Sequence, residues 1–180
     1  RDIIIIFLLS LTPLLWFREG ALMVGHDNVA PLDPKVFLQG RLSSWSDHFF
    51  GQSQILILGT ILIHLLDAIP GFFGFSLASS QKIVYVVWFF LIGLSAYTLA
   101  HVIKPKSSIF KFVAVIFYQF NFFILQGWWI GEKSKFSAYV AMPLVLSVFL
   151  LVDSGRLSPV AGAILNSFIF FFFNAGGLFG

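Results

Sequence analysis

Cysteine is absent from the 180 residues. That excludes a disulfide framework, thiol nucleophiles and any zinc–thiolate site. Charge is scarce as well: Asp, Glu, Lys and Arg make up 11% of the chain, where soluble domains carry about a quarter. The net charge of +3 is small and scattered, so the footprint of a nucleic-acid binder is missing and no nucleic-acid partner is expected. What fills the chain is hydrocarbon. Hydrophobic residues make up 58%, phenylalanine alone occurs 24 times, and the mean hydropathy is +0.93. Apolar runs near 20 residues recur, long enough to cross a hydrocarbon core of about 30 Å. The expected fold is an all-α, polytopic transmembrane helix bundle whose first partner is the lipid bilayer.

The runs set out the organisation. A first span covers residues 1–17, with Trp16 and Arg18 marking its exit into an interface. No small-x-small cleavage site follows it, so an uncleaved helix is expected rather than a signal peptide. Residues 18–54 form the one long polar segment. Within it, Asp33-Pro34 reads as an N-cap with proline at the first helical position. Val36, Phe37, Leu38, Leu42 and Trp45 then share roughly one face, with Lys35, Gln39 and Arg41 off it. This pattern describes a short amphipathic helix lying on the membrane surface. Residues 55–66 make an apolar run that ends near His64 and Asp67 and is broken by Pro70 and Gly71. Its length suits an interfacial or re-entrant helix better than a crossing. Four further spans are expected at 83–103, 109–129, 136–152 and 159–173, about five in all. Pro143 and Gly162 inside spans are tolerated because neighbouring helices can satisfy freed backbone groups. The chain opens on Arg1 and stops at Gly180 just after an apolar run, which reads as the amino-terminal piece of a longer protein.

Lys104, Lys106 and Lys111 cluster at one loop and Arg156 at another, which makes both cytoplasmic under the positive-inside rule. Segment 18–54 and the loop at 131–135 then face the other side. Arg18, Lys35, Arg41, Lys133 and Lys135 pull against that orientation, so counting alone does not settle it.

Candidate chemistry sits in the polar segment. Asp27 lies about ten residues beyond the first span in "VGHDN". A carboxylate near a low-dielectric boundary can have a raised pKa and act as a base toward a hydroxyl, with His26 and Asn28 to orient it. The competing reading is a loop carboxylate that caps a turn. Asp33 reads as a helix cap. Asp47 and His48 in "WSDHFFGQ" either bind a phosphate or sugar or hold a plain interfacial position. His26, Asp27, Asp47 and His48 offer ligands for a divalent ion, but no spacing matches a metal motif, so no cofactor is expected. Inside the spans, Tyr118, Gln119, Asn121 and Asn166 are expected to hydrogen-bond across helices, and Lys111 to snorkel to the interface. His64 and Asp67 either line a cavity or sit at the surface. No buried charge pair is apparent, which lowers the odds of a pump or channel.

In order, "HDN" after an apolar span, "PLDPKVFLQGRLSSW" leading to "FFGQSQ", a short helix with Pro70, a span with Trp88, "AMPLVLSVFLL" and "FFFFNAGG" resemble the amino-terminal part of the GT-C class of membrane glycosyltransferases. The nearest likeness is to the alpha-(1→3)-arabinofuranosyltransferase type, with YfhO-like membrane proteins second. The resemblance implies a multi-pass protein of a prokaryotic plasma membrane. It implies a polyprenyl-phosphate-linked sugar donor, a glycan or glycolipid acceptor, and an aspartate of the first non-cytoplasmic loop as base. By position that base is Asp27, and the surface helix is the family's juxtamembrane element. A phosphate leaves as a stabilised anion, so the protein's main task is to activate the acceptor hydroxyl. A hydrogen-bonding site for the departing phosphate comes second. Arg41, His48 and Gln52 are candidates for it. Rival readings are a multi-pass transporter or flippase component and a non-catalytic assembly protein.

Overall fold

A computed structural model describes residues 1–23, 31–42, 45–46, 52–53, 60–130 and 133–173. They form eight α-helices: α1 (Asp2–Leu9), α2 (Pro34–Arg41), α3 (Ile61–Phe72), α4 (Leu77–Ile103), α5 (Ser108–Gln119), α6 (Phe122–Ile130), α7 (Lys133–Asp153) and α8 (Pro159–Phe173). A 3₁₀ turn, Thr12–Trp16, extends α1. A two-residue antiparallel ladder pairs β1 (Trp45–Ser46) with β2 (Gln52–Ser53).

The fold is organised on α4. Its 27 residues rise about 40 Å at 1.5 Å each. The helix begins at Leu77, earlier than the apolar run at Ile83 suggests. Ser76 caps it by accepting from the Ser79 N–H, and polar Ser80 and Gln81 are buried in its first turns. The first apolar stretch, Asp2–Trp16, lies antiparallel along α4. Asp2 meets Tyr97, Phe7 meets Phe90, Phe17 meets Tyr85 and Met23 meets Gln81. Around the middle of α4, Tyr85, Trp88, Phe89 and Ile92 pack with Ile63 of α3, Ile124 of α6, and Phe136 and Val140 of α7.

The outer surface is equally informative. Ile4 is 63% exposed, Phe117 76%, Phe149 61% and Phe168 57%. A soluble monomer rarely leaves large apolar patches uncovered, whereas lipid solvates them. Ser95, Gln119, Ser137 and Ser147 are instead turned inward. Lipid tails are as apolar as leucine, so helix association there rests on close packing and interhelical hydrogen bonds. Both are present where α1, α4 and α5 meet. Gln119 Nε2 donates to the Phe89 carbonyl at 2.9 Å and to Ser10 Oγ at 3.4 Å. Gly93 makes that approach possible: a Cβ there would lie 2.9 Å from Ile6 Cγ2 and closer still to the Gln119 amide.

The contact has a direct consequence. Gly93→Ala is expected to destabilise the protein by about 1–3 kcal/mol through overpacking. Gly40→Ala is expected to leave stability unchanged or raise it by up to about 1 kcal/mol, because a glycine inside a helix costs backbone entropy. Gly40 lies within α2, and a Cβ there meets nothing within 4 Å. Thermal unfolding of the two variants in detergent gives the comparison.

Three helical stretches are long and apolar enough to cross a membrane: Leu77–Ile103, Ser108–Gln126 and Lys135–Asp153. By length and composition this is the pattern of a helical membrane protein. The second stretch is not one straight helix, as the run at 109–129 suggests. It breaks after α5 because Asn121 competes with the helix for its own backbone. Its Oδ1 accepts from the Ile124 N–H at 3.1 Å and its Nδ2 donates to the Tyr118 carbonyl at 2.8 Å. Pro143 behaves as expected for a proline in a span. It has no N–H for the carbonyl four residues earlier, that of Tyr139, and the Tyr118 hydroxyl of α5 donates to this carbonyl at 3.0 Å. Asp2–Trp16, α3 and α8 are shorter apolar helices. In α3 the helix runs through Pro70 to Phe72 rather than breaking there. A proline this close to the end deprives only the Leu66 carbonyl of its partner.

Candidate functional site

Two ends of the bundle carry its polar chemistry. At one end, Arg156 Nη2 reaches the Val102 carbonyl at 3.2 Å and Lys111 Nζ donates to the Pro105 carbonyl at 3.2 Å. Lys104, Lys106, Lys111 and Arg156 therefore gather on one side, as the sequence suggests. Lys111 turns toward the helix start as a snorkelling lysine does, yet it is buried, beneath Tyr97.

The opposite end, where α4 begins, holds the candidate site. Lys133, the first residue of α7, donates to both carboxylate oxygens of Asp67 on α3, at 2.7 and 2.6 Å. Both residues are buried. Burial pushes the Asp67 carboxyl up from the ordinary carboxylate value, and the Lys133 ammonium opposes that shift. A carboxylate in an apolar helix is stable only with such a partner. The expectation that no buried charge pair exists is thus corrected. The two residues lie 66 positions apart, and each looks in sequence like an end-of-helix charge. The available signal was Asp67 itself, a lone acid within "ILIHLLDAIP". His64, three residues earlier, packs edge-on against Phe37 of α2 with ring centroids 5.0 Å apart.

Beside the ion pair, Gln81 of α4 holds the chain as a strand neighbour would. Its Oε1 accepts from the Met23 N–H at 2.7 Å and its Nε2 donates to the Met23 carbonyl at 2.6 Å. Pro31 and Pro34 line a small crevice with Asp67, Ser80, Gln81 and Lys133. Pro34 opens α2, and Asp33 caps it by accepting from the Lys35 and Val36 N–H groups at 3.0 and 3.1 Å. The cap is the one expected from Asp33-Pro34. The helix presents its apolar residues to two sides: Leu38 is buried while Val36 and Leu42 are exposed.

Of the residues the sequence singles out, His26, Asp27, Asn28, Asp47 and His48 lie outside the described residues. Arg41 ends α2 and Gln52 begins β2, and only their backbones are described. Asp47 and His48 fall between β1 and β2 in sequence. Among the described residues, no group of three or more His, Asp or Glu side chains is placed to hold a metal ion. Asn166 departs from the expected interhelical hydrogen bond, since its Oδ1 is buried without a partner. No protein-family model, curated protein or solved structure matches this chain.

Proposed function

We propose that this chain is part of a membrane glycosyltransferase. It moves a sugar from a polyprenyl-phosphate donor to a glycan or lipid-linked acceptor at the non-cytoplasmic face, and Asp27 is the general base. One observation carries the reading: both flanks of segment 24–30 are fastened to the same end of the bundle. Met23 is clamped by Gln81, and Pro31 lies in the crevice with Asp67 and Lys133. Asp27 falls between these two anchors in sequence. A base acting on a lipid-linked donor belongs at such a boundary between hydrocarbon and water, where the donor's phosphate resides.

The same reading takes the protein as multi-pass, with Asp2–Trp16 and α8 as two spans beyond the three long helices. Each is 15 residues, about 22 Å of helix, and a thinned bilayer accommodates a short span at modest cost. The antiparallel course of the first span along α4, from Asp2–Tyr97 to Met23–Gln81, supports this. The orientation follows from the lysines at 104–111. Lys133 at the opposite end is held by Asp67, which gives that cation a structural role there. α2 is then the surface helix of the first non-cytoplasmic loop, and α3 stays on that side without crossing. His26, Asn28, Arg41, Asp47, His48 and Gln52 remain the proposed substrate contacts.

A second reading, a transporter or flippase component, draws on the buried Asp67–Lys133 pair and on the helix break at Asn121. Transport sites lie near the bilayer midplane. The ion pair sits at the first residue of α7, at a bundle end, and so favours chemistry at the interface. The test is reconstitution of the protein in liposomes with labelled polyprenyl-phosphate sugars, arabinofuranose first, and a glycan acceptor. Label transferred to the acceptor is the expected result. Label that crosses the bilayer without transfer would support the second reading instead.

A further inference from the structure

At the lysine end, α1, α4 and α5 enclose a cleft of about 300 Å³. Its walls are apolar, made by Ile5, Ile6, Ile109, Phe112 and Val115. Ile109 and Phe112 are exposed on the outer surface, so the cleft opens toward the surrounding hydrocarbon. Its rim is polar and carries more positive than negative charge. Arg1, Ser108 and Lys111 contribute, along with Asp2 and Tyr97. The Asp2 carboxylate is already engaged, accepting from the Tyr97 hydroxyl at 3.0 Å and facing Lys111 Nζ at 3.7 Å. Lys111 is buried at the rim, with Pro105 O taking one of its three N–H donors and Asp2 facing another. Lys104 and Lys106 are exposed on the loop beside it.

An apolar cleft between membrane helices, closed at the interface by a basic rim, matches a lipid with an anionic headgroup in both its parts. Basic pockets between helices on the cytoplasmic side bind such headgroups. A zwitterionic lipid would fill the apolar part and leave the excess cation unmatched. A free phosphate would do the reverse. We infer that this cleft is a binding site for an anionic phospholipid of the bilayer, with the acyl chain along Ile5, Ile109 and Phe112 and the phosphate at Arg1, Ser108 and Lys111. The site is at the opposite end of the bundle from Asp67 and Lys133 and plays no part in sugar transfer.

The test is lipid retention. The chain is purified in a neutral detergent and offered dioleoylphosphatidylglycerol and dioleoylphosphatidylcholine in equal amounts, and retained lipid is counted by native mass spectrometry. One phosphatidylglycerol per chain, in clear preference to phosphatidylcholine, is expected. Arg1→Gln, at an exposed position on the cleft rim, should lower that preference by about fivefold. Ile109→Asp places an anion on the cleft wall. Ile109 is the second residue of α5, so the acid lies toward the interface rather than the bilayer centre, where a charge is most costly, and an acid near a helix start is favourable. It should abolish the preference while leaving the unfolding temperature in place. Equal retention of the two lipids would overturn the inference. So would a preference that survives Ile109→Asp, or displacement of phosphatidylglycerol by millimolar inorganic phosphate.

Discussion

Lys133→Met is expected to destabilise the protein by about 3–5 kcal/mol, because it leaves the Asp67 carboxylate buried without its counter-charge. In a chain of this size that corresponds to a fall on the order of 10 °C in unfolding temperature. The cost is this large because the pair is nearly dry and Lys133 reaches both oxygens of Asp67; an exposed pair is worth about 1 kcal/mol or less. The double variant Asp67→Leu/Lys133→Met removes both charges and should recover most of the loss, since apolar replacements of buried pairs are often neutral or better. Fluorescence-detected size exclusion after heating measures all three proteins. If the single variant unfolds within a degree or two of the parent, the pair does not hold α3 to α7.

The second large effect concerns chemistry. Under the proposed function, Asp27→Asn keeps the shape of the side chain and removes the base, so turnover should fall by about 10²–10⁴-fold. The unfolding temperature should not move, because Asn caps turns as Asp does. Unchanged turnover would dismiss Asp27 as the base. A parallel loss of folding would show that the residue serves structure instead. The two predictions separate cleanly: Lys133→Met lowers stability first, whereas Asp27→Asn lowers transfer in a stable protein.

Local signals read well in this sequence. Asp33 capping α2 is a rule of adjacent residues, and the cap is there with two N–H bonds. The apolar runs at 83–103, 109–129 and 136–152 mark the three helices long and apolar enough to cross a membrane, while those at 1–17 and 159–173 form shorter apolar helices. The proline rule anticipated that a neighbour would take up a freed carbonyl, as Tyr118 does beneath Pro143. What composition could not reveal was pairing across the fold. Asp67 and Lys133 meet only because α3 and α7 are brought together at the start of α4. The Gln81 clamp on Met23 likewise joins positions 58 apart. The break at Asn121 was hidden for another reason: hydropathy is blind to a side chain that bonds its own backbone. Gly93 carried no local signal, since what it permits is the approach of Gln119 and Ile6 from two other helices. For the chemistry, the segment around Asp27 was legible as polar, and the anchoring of its flanks through Met23 and Pro31 came only from the fold.

The most direct test of the account is which face of the membrane each end of the bundle occupies. The 180 residues contain no cysteine, so a thiol introduced among them is the only one there. Glu19→Cys and Lys106→Cys place exposed thiols at the two ends of the bundle. In intact cells a membrane-impermeant maleimide should label Glu19→Cys and should reach Lys106→Cys only after permeabilisation. Labelling of both from the same side, or labelling of Lys106→Cys alone in intact cells, would contradict a site at the non-cytoplasmic face.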